Sequence, residues 1–142
     1  MIEPAQDRDL QEIRSLLDGL HLPLAGIAEH LSTMVVARED GRVVGTAGLE
    51  LYADGALLRS VAVDPQRQGK QLGHQLTESA LQLAEARGAR NVFLLTTTAE
   101  RFFPKFGFEQ ITREDVPASV RASVEFQSAC PSSAIVMCKR LR

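Results

Sequence analysis

The chain has 142 residues, 44% of them hydrophobic and 24% charged, with 16 basic side chains against 18 acidic ones. That length suits a single domain with a substantial apolar core, residues 1–142. The near balance of charge excludes a protein built chiefly to attract nucleic acid, and two cysteines, Cys130 and Cys138, are too few for a disulfide framework.

The opening Met1-Ile2-Glu3-Pro4 lacks the basic flank and apolar core of a signal peptide. No run approaches about 18 consecutive apolar residues, so a cytoplasmic protein without a membrane span is expected. Asp7 is placed to cap a helix whose apolar face, Leu10, Ile13, Leu16 and Leu17, repeats at helical spacing. Pro23 and Gly26 make residues 19–31 a loop followed by a short helix, with His21 and His30 as loop residues near a substrate entrance. Residues 34–38 predict a strand, Asp40-Gly41 a hairpin turn and residues 43–52 the returning strand. A second Asp-Gly pair, Asp54-Gly55, leads into a strand over residues 57–63.

After Pro65 the apolar period lengthens. Leu72, Leu76, Ala80, Leu83 and Ala84 form one stripe of a helix over residues 72–86, closed by Arg87 and Gly88. Residues 91–96 return as an apolar strand, and a helix between two such strands implies a crossover with parallel pairing. Residues 99–106 predict a short helix ended by Gly107, and residues 134–138 the last strand. The expected class is α/β, of the α+β kind, with a central mixed, twisted sheet flanked by helices.

The stretch from Val63 to Gly73 hands a strand over to a helix. There the first helical N–H groups lack carbonyl partners and, with the helix dipole, favour an anion; glycines let the backbone approach a phosphate closely. Neither GxxxxGK[ST] nor GxGxxG spacing is present, so this is not a nucleotide P-loop or a dinucleotide fingerprint. Taken alone, the turn is equally a tight strand-helix connection.

Within it, Gln68-Gly69-Lys70-Gln71-Leu72-Gly73 falls on the pattern Q/R-x-x-G-x-G/A, with Gln71 in place of the middle glycine, and follows "AVDP". The segment from Ala99 to Phe108, "AERFFPKFGF", matches A-x-x-F-Y-x-K-x-G-F, with Phe103 at the tyrosine position. On these motifs the chain resembles the GCN5-related N-acetyltransferases, the GNAT superfamily. "VVGTAGLELY", "LLRSVAV", "LLTTTAERFFPKFGF" and "CPSSAIVM" make it similar to the arsenic-resistance N-acetyltransferases, which are related to small amino-acid N-acetyltransferases.

The resemblance implies a single GNAT-like domain with acetyl-coenzyme A as co-substrate and a small, carboxylate-bearing, amino-acid-like acceptor. It implies a pantetheine arm between the strand of Val61 and Val63 and the strand of Leu94 and Leu95. The pyrophosphate would rest on the amides of Gln68, Gly69, Lys70, Gln71, Leu72 and Gly73. The acceptor's free amine would attack directly in a ternary complex, a backbone N–H near Val61 holding the oxyanion, and the protein would be a homodimer. Gln71 and Phe103 keep a coenzyme-A-binding sensor or degenerate enzyme as an alternative, beside a protein-amine acetyltransferase. Two lone cysteines cannot give the three soft ligands that trivalent arsenic prefers, and no close His/Cys cluster supports a metal.

The acceptor ammonium must lose a proton before attack. Glu50, late in its strand, is the carboxylate best placed to take it, a solvent-facing strand residue being the ordinary alternative. Period-two alternation puts Arg59 on one face with Leu57, Val61 and Val63, where it either clamps a substrate carboxylate or pairs with a neighbour such as Glu50. Thr96 and Thr97 are placed to bond the coenzyme and the acceptor, or to cap the helix starting near Ala99. Arg121 and Glu125, four apart, form either an internal ion pair or an amino-acid-binding pair. His74 is expected at the surface near phosphate. Phe103 has no proton for the leaving thiolate, and the only tyrosine, Tyr52, sits at a strand end.

Overall fold

The computed structural model describes residues 2–69, 71–97, 99–123, 126–127 and 134–141; Lys70, Thr98, Glu125 and Cys130 lie outside the described residues. In chain order the elements are β1 (Ile2–Pro4), α1 (Leu10–Gly19), β2 (Met34–Glu39), β3 (Arg42–Tyr52), β4 (Gly55–Val63), α2 (Leu72–Ala86), β5 (Asn91–Thr96), β6 (Glu109–Ile111), α3 (Ala118–Arg121) and β7 (Ile135–Arg140). The strands form one seven-stranded sheet in the order β1-β2-β3-β4-β5-β7-β6. It is mixed: β4 and β5 run parallel, and every other neighbouring pair is antiparallel. Among the described residues no helix is long and apolar enough to cross a membrane.

Local chemistry explains these elements. Asp40 and Gly41 both take positive φ, 53° and 78°, the geometry of a tight hairpin whose twist matches its strands. The helix-starting contact is made by Asp9 rather than Asp7. A 3₁₀ turn, Asp7–Asp9, precedes α1, and the Asp9 carboxylate accepts the Gln6 N–H at 2.8 Å. α1 buries Ile13 and Leu17 with Ile27, Met34, Val36 and Val43 on one face of the sheet. α2 buries Leu76, Ala80 and Ala84 with Leu49, Leu58 and Leu94 on the other. A side chain as enclosed as Leu76, at 0% exposure, contributes about 2 kcal/mol. Gly45 permits that approach, because a Cβ there would stand 2.7 Å from Leu76 Cδ1.

Two predicted helices change: residues 25–30 form turns ahead of a 3₁₀ segment, Leu31–Thr33, rather than a short helix. Residues 99–106 do not form one helix; turns lead to a 3₁₀ segment, Phe103–Phe106, ended by Gly107 at φ 95°. Pro104, which lacks an N–H, fits the first turn of a helix and not its interior. The structure also adds β1, β6 and α3, elements too short to show a period.

The feature that makes a site is the parting of β4 from β5. Their registered pairs are Ala56↔Val92 and Leu57↔Phe93, near the start of each strand. Beyond them β5 continues along β7 as far as Thr96↔Ile135, while β4 follows β3 through a bulge. The β3–β4 register jumps from Gly48↔Arg59 to Thr46↔Ala62, leaving Ser60 and Val61 against one residue, Ala47. Such an insertion bends the bulged strand.

The bulge also corrects the placement of Arg59. Gly48 and Thr46, two apart, share a face of β3, so their partners Arg59 and Ala62 share a face although three apart. Ala62 packs with the α1 side and Val63 with the α2 side. Arg59 therefore lies on the face opposite Val61 and Val63, not beside them.

Candidate active site

A cavity of about 1020 Å³ fills the opening between β4 and β5. Arg59, Ser60, Val61 and Val63 border it from β4, Leu94 and Thr96 from β5, and Phe102 and Phe103 from the segment after β5. The loop before α2 closes one end through Gln68, Gly69, Gln71, Leu72 and Gly73; His21 and Pro23 from the loop after α1 close the other.

The loop end is tightly turned. Asp64 Oδ1 accepts the Gln66 N–H at 2.9 Å and starts the 3₁₀ turn Pro65–Arg67. Gln68 Nε2 donates to the Val63 carbonyl at 3.2 Å, folding the loop back on its own strand. Gly69 takes φ 86°, and Gln71 precedes the 15-residue α2 in the left-handed region, φ 62° and ψ 14°. Gln71 thus adopts the conformation for which glycine is the easier residue, and its side chain is exposed. The unpaired N–H groups of a helix's first turn point along its axis toward whatever lies at that end. His74 borders the cavity, lies 3.0 Å from Glu78 Oε1 through Nε2 and packs on the Phe106 ring at 4.7 Å.

Below the bulge, polar groups converge behind the wall. Arg59 donates from Nη1 to Glu50 Oε2 at 2.7 Å, from Nη2 to the Pro23 carbonyl at 3.2 Å and from Nε to Ser60 Oγ at 3.1 Å. The Tyr52 hydroxyl donates to Glu50 Oε1, and His30 Nε2 stands 3.6 Å from the same oxygen. Glu50 is 1% exposed, which overturns a solvent-facing place, and it does not border the cavity. Of the two readings of Arg59, the ion pair with Glu50 is formed. Arg59 nevertheless borders the cavity as well.

The other candidates divide. Thr97 borders the cavity, as does Thr96, whose Oγ1 accepts the Ala99 N–H at 2.9 Å and so caps the next turn. Arg121 does not join them: it is exposed at the end of α3, its carbonyl accepting from Gln127 Nε2 at 2.7 Å. Its proposed partner Glu125 lies outside the described residues. Tyr52 is not on the cavity wall, while Phe103 is, packed edge-on against Phe102 and Phe108. Burial pushes the Cys138 thiol up, away from reactivity. Among the described residues no group of three or more His, Cys, Asp or Glu can hold a metal.

Sequence reasoning passes over Ser60 and Pro23. Ser60 bears a left-handed φ of 59° that a period-two pattern does not signal. Pro23 acts through its carbonyl, which no side-chain pattern encodes.

Comparisons with known proteins agree with this geometry. Residues 30–110 match the family model for the acetyltransferase (GNAT) domain. The chain is 32% identical over 130 residues to an amino-acid acetyltransferase of Mycobacterium tuberculosis, covering 84% of this chain and 74% of that protein. It is 28% identical over 89 residues to an amino-acid acetyltransferase of Aeromonas salmonicida, covering 61% of this chain but 20% of that longer protein. A solved Mycobacterium tuberculosis structure in complex with CoA superposes with a TM-score of 0.84 at 27% identity, over 100% of this chain and 99% of that one. N-acetylglutamate synthase of Neisseria gonorrhoeae shares the fold at a TM-score of 0.86 and 23% identity, over 100% of this chain and 35% of that chain. The chain belongs to the GNAT acetyltransferase family and is an N-acetyltransferase whose co-substrate is acetyl-coenzyme A.

Proposed function

We propose that the acceptor is a small amino-acid-like molecule with a free amine and a carboxylate, acetylated by direct attack on acetyl-coenzyme A while both are bound. The observation that carries this is Arg59, a guanidinium 4% exposed on the wall of the same cavity that the α2 loop closes at its far end. A planar fork of N–H donors is suited to a carboxylate, and Glu50 holds it in orientation. The name of the Mycobacterium tuberculosis relative, amino-acid acetyltransferase, fits the same class.

In this reading the pyrophosphate rests on backbone N–H groups from Gln68 to Gly73. The pantetheine arm lies in the gap beside Val61 and Val63, near Thr96, and Thr97 faces the acceptor. The Val61 N–H receives the oxyanion, and a donor fixed before reaction costs no reorganisation when charge develops. Proximity of amine and thioester supplies much of the rate. Because Glu50 stands behind Arg59, the amine proton leaves through water in the cavity. Phe103 offers the thiolate no proton, so the thiolate departs as an anion.

Release of free thiol tests the reading with three acceptor sets: amino acids, the same molecules lacking the carboxylate, and peptides. Turnover confined to the first supports it. Equal rates with and without the carboxylate overturn it, and coenzyme-A binding with no turnover on any amine points to a sensor.

A further inference from the structure

The Ser60–Val61 peptide stands where β4 leaves the ladder. Ser60 holds φ 59°, a conformation that costs an L-residue about 1–2 kcal/mol, so its surroundings must fix it. One hold is the Arg59 Nε–H to Ser60 Oγ, at 3.1 Å. The other is Thr46 on β3, whose hydroxyl donates to the Ser60 carbonyl at 2.7 Å; Thr46 is 0% exposed.

The Ser60 carbonyl and the Val61 N–H belong to one peptide group. No peptide among the described residues is cis, so the two point in opposite directions within one plane. In the sheet β4 has β3 on one side and β5 on the other. A carbonyl drawn toward Thr46 turns the Val61 N–H toward β5, and at this level β5 has already parted from β4. What lies on that side is the cavity that Val61 borders.

We infer that Thr46 is a positioning residue for acetyl transfer: its buried hydroxyl fixes the plane of the Ser60–Val61 peptide and aims the Val61 N–H at the thioester oxygen. The inference rests on the reading of the Val61 N–H as the oxyanion donor. Thr46 acts in two ways. It sets direction, and a donor is effective only when it ends about 2.7–3.1 Å from the developing charge. It also polarises the peptide, since a carbonyl that accepts a hydrogen bond makes the N–H of the same amide a stronger donor. Thr46 touches neither substrate nor the reacting atoms.

Thr46→Val keeps the shape and loses the donor, whereas Thr46→Ser keeps the donor. The reporter is the infrared carbonyl stretch of ¹³C-acetyl-coenzyme A bound without acceptor, read beside kcat and KM. In the wild type and Thr46→Ser the stretch should fall below that of free acetyl-coenzyme A. In Thr46→Val most of that fall should vanish, and kcat should drop about tenfold with KM for acetyl-coenzyme A within about twofold. Deleting an oxyanion donor outright costs about 10²–10³ in kcat, and misaiming one costs less. If the wild type shows no fall, the Val61 reading and the role of Thr46 go together. If the fall and kcat both survive in Thr46→Val, the Val61 reading stands and Thr46 is refuted. Should Thr46→Val not fold, Thr46→Ala, which also lacks a donor, takes its place; a wild-type stretch and kcat there refute the role, and loss of both supports it.

Discussion

Arg59 and Glu50 meet diagonally across β4 and β3, Nη1 to Oε2 at 2.7 Å, with 4% and 1% of their surfaces exposed. The register explains the diagonal: Glu50 stands opposite Leu57, and Arg59 opposite Gly48. Two long side chains span that offset. The other Glu50 oxygen accepts the Tyr52 hydroxyl and has His30 Nε2 at 3.6 Å. A carboxylate gripped in this way is an anchor for Arg59.

Glu50→Gln should leave a buried guanidinium without its compensating charge. A loss of about 3 kcal/mol is expected, near 10 °C in Tm by calorimetry. KM for a carboxylated acceptor should rise, while the acidic limb of the pH-rate profile keeps its shape. A flattened acidic limb with Tm unchanged would restore Glu50 as the base.

Arg59→Met should lower kcat/KM for carboxylated acceptors about 100-fold and leave coenzyme-A affinity nearly intact, the loss expected of a charge-assisted two-pronged contact. Uncharged amines should lose much less, only what release of the Arg59 hold on Ser60 costs. Removing both charges, in Arg59→Met with Glu50→Leu, should recover much of the stability lost by either single change but none of the acceptor selectivity. Equal losses on charged and neutral acceptors would exclude the carboxylate contact.

Much of the frame is legible because its signals are local. Asp40-Gly41 announces a hairpin by its tolerance of positive φ, and the long apolar stripe of α2 brings out both of its ends, Leu72 and Ala86. The bulge is not legible. Leu57, Leu58, Val61, Ala62 and Val63 are apolar toward both faces, so a one-residue slip at Ser60 strands no residue on a wrong side, and strict alternation puts Arg59 on the wrong face. The Arg59–Glu50 pair is legible only as one of two alternatives, because the two residues lie on neighbouring strands and only the register joins them. Arg121 is exposed at the end of α3, and Glu125, its partner by helical spacing, lies outside the described residues. The α2 loop is readable from its place before the helix, whereas Pro23 offers its own carbonyl and the Thr46 hydroxyl meets the carbonyl of Ser60, contacts that no periodic pattern encodes.

Gln71 offers a test of the loop. At φ 62° a residue with an unbranched, exposed side chain is tolerated, and a β-branched one is not. Gln71→Gly should keep KM for acetyl-coenzyme A within about twofold and Tm no lower than wild type, because relief of strain offsets the freer unfolded chain. Gln71→Val should lose about 1–2 kcal/mol and raise that KM several-fold. A strong rise in KM for Gln71→Gly would instead give the glutamine side chain a part in holding the coenzyme.

At the start of α1, Asp9 is 1% exposed and accepts from Arg38 Nη2 at 2.6 Å and from the Gln6 N–H at 2.8 Å, while Arg38 also engages Glu3. The Arg38 hydrogen bond holds the Asp9 carboxyl below its usual range, against burial, which pulls it up. A carboxyl with a lowered pKa in the folded state contributes stability in full above its unfolded value, about 3.9, and loses it as pH falls through the folded value. Tm should therefore decline below about pH 4. Asp9→Asn should cost about 1.5–3 kcal/mol at pH 7 by loss of the charge-assisted bond, and its decline below pH 4 should be shallower than that of the wild type. Parallel curves for the two proteins across that window would assign the acid sensitivity to other carboxylates.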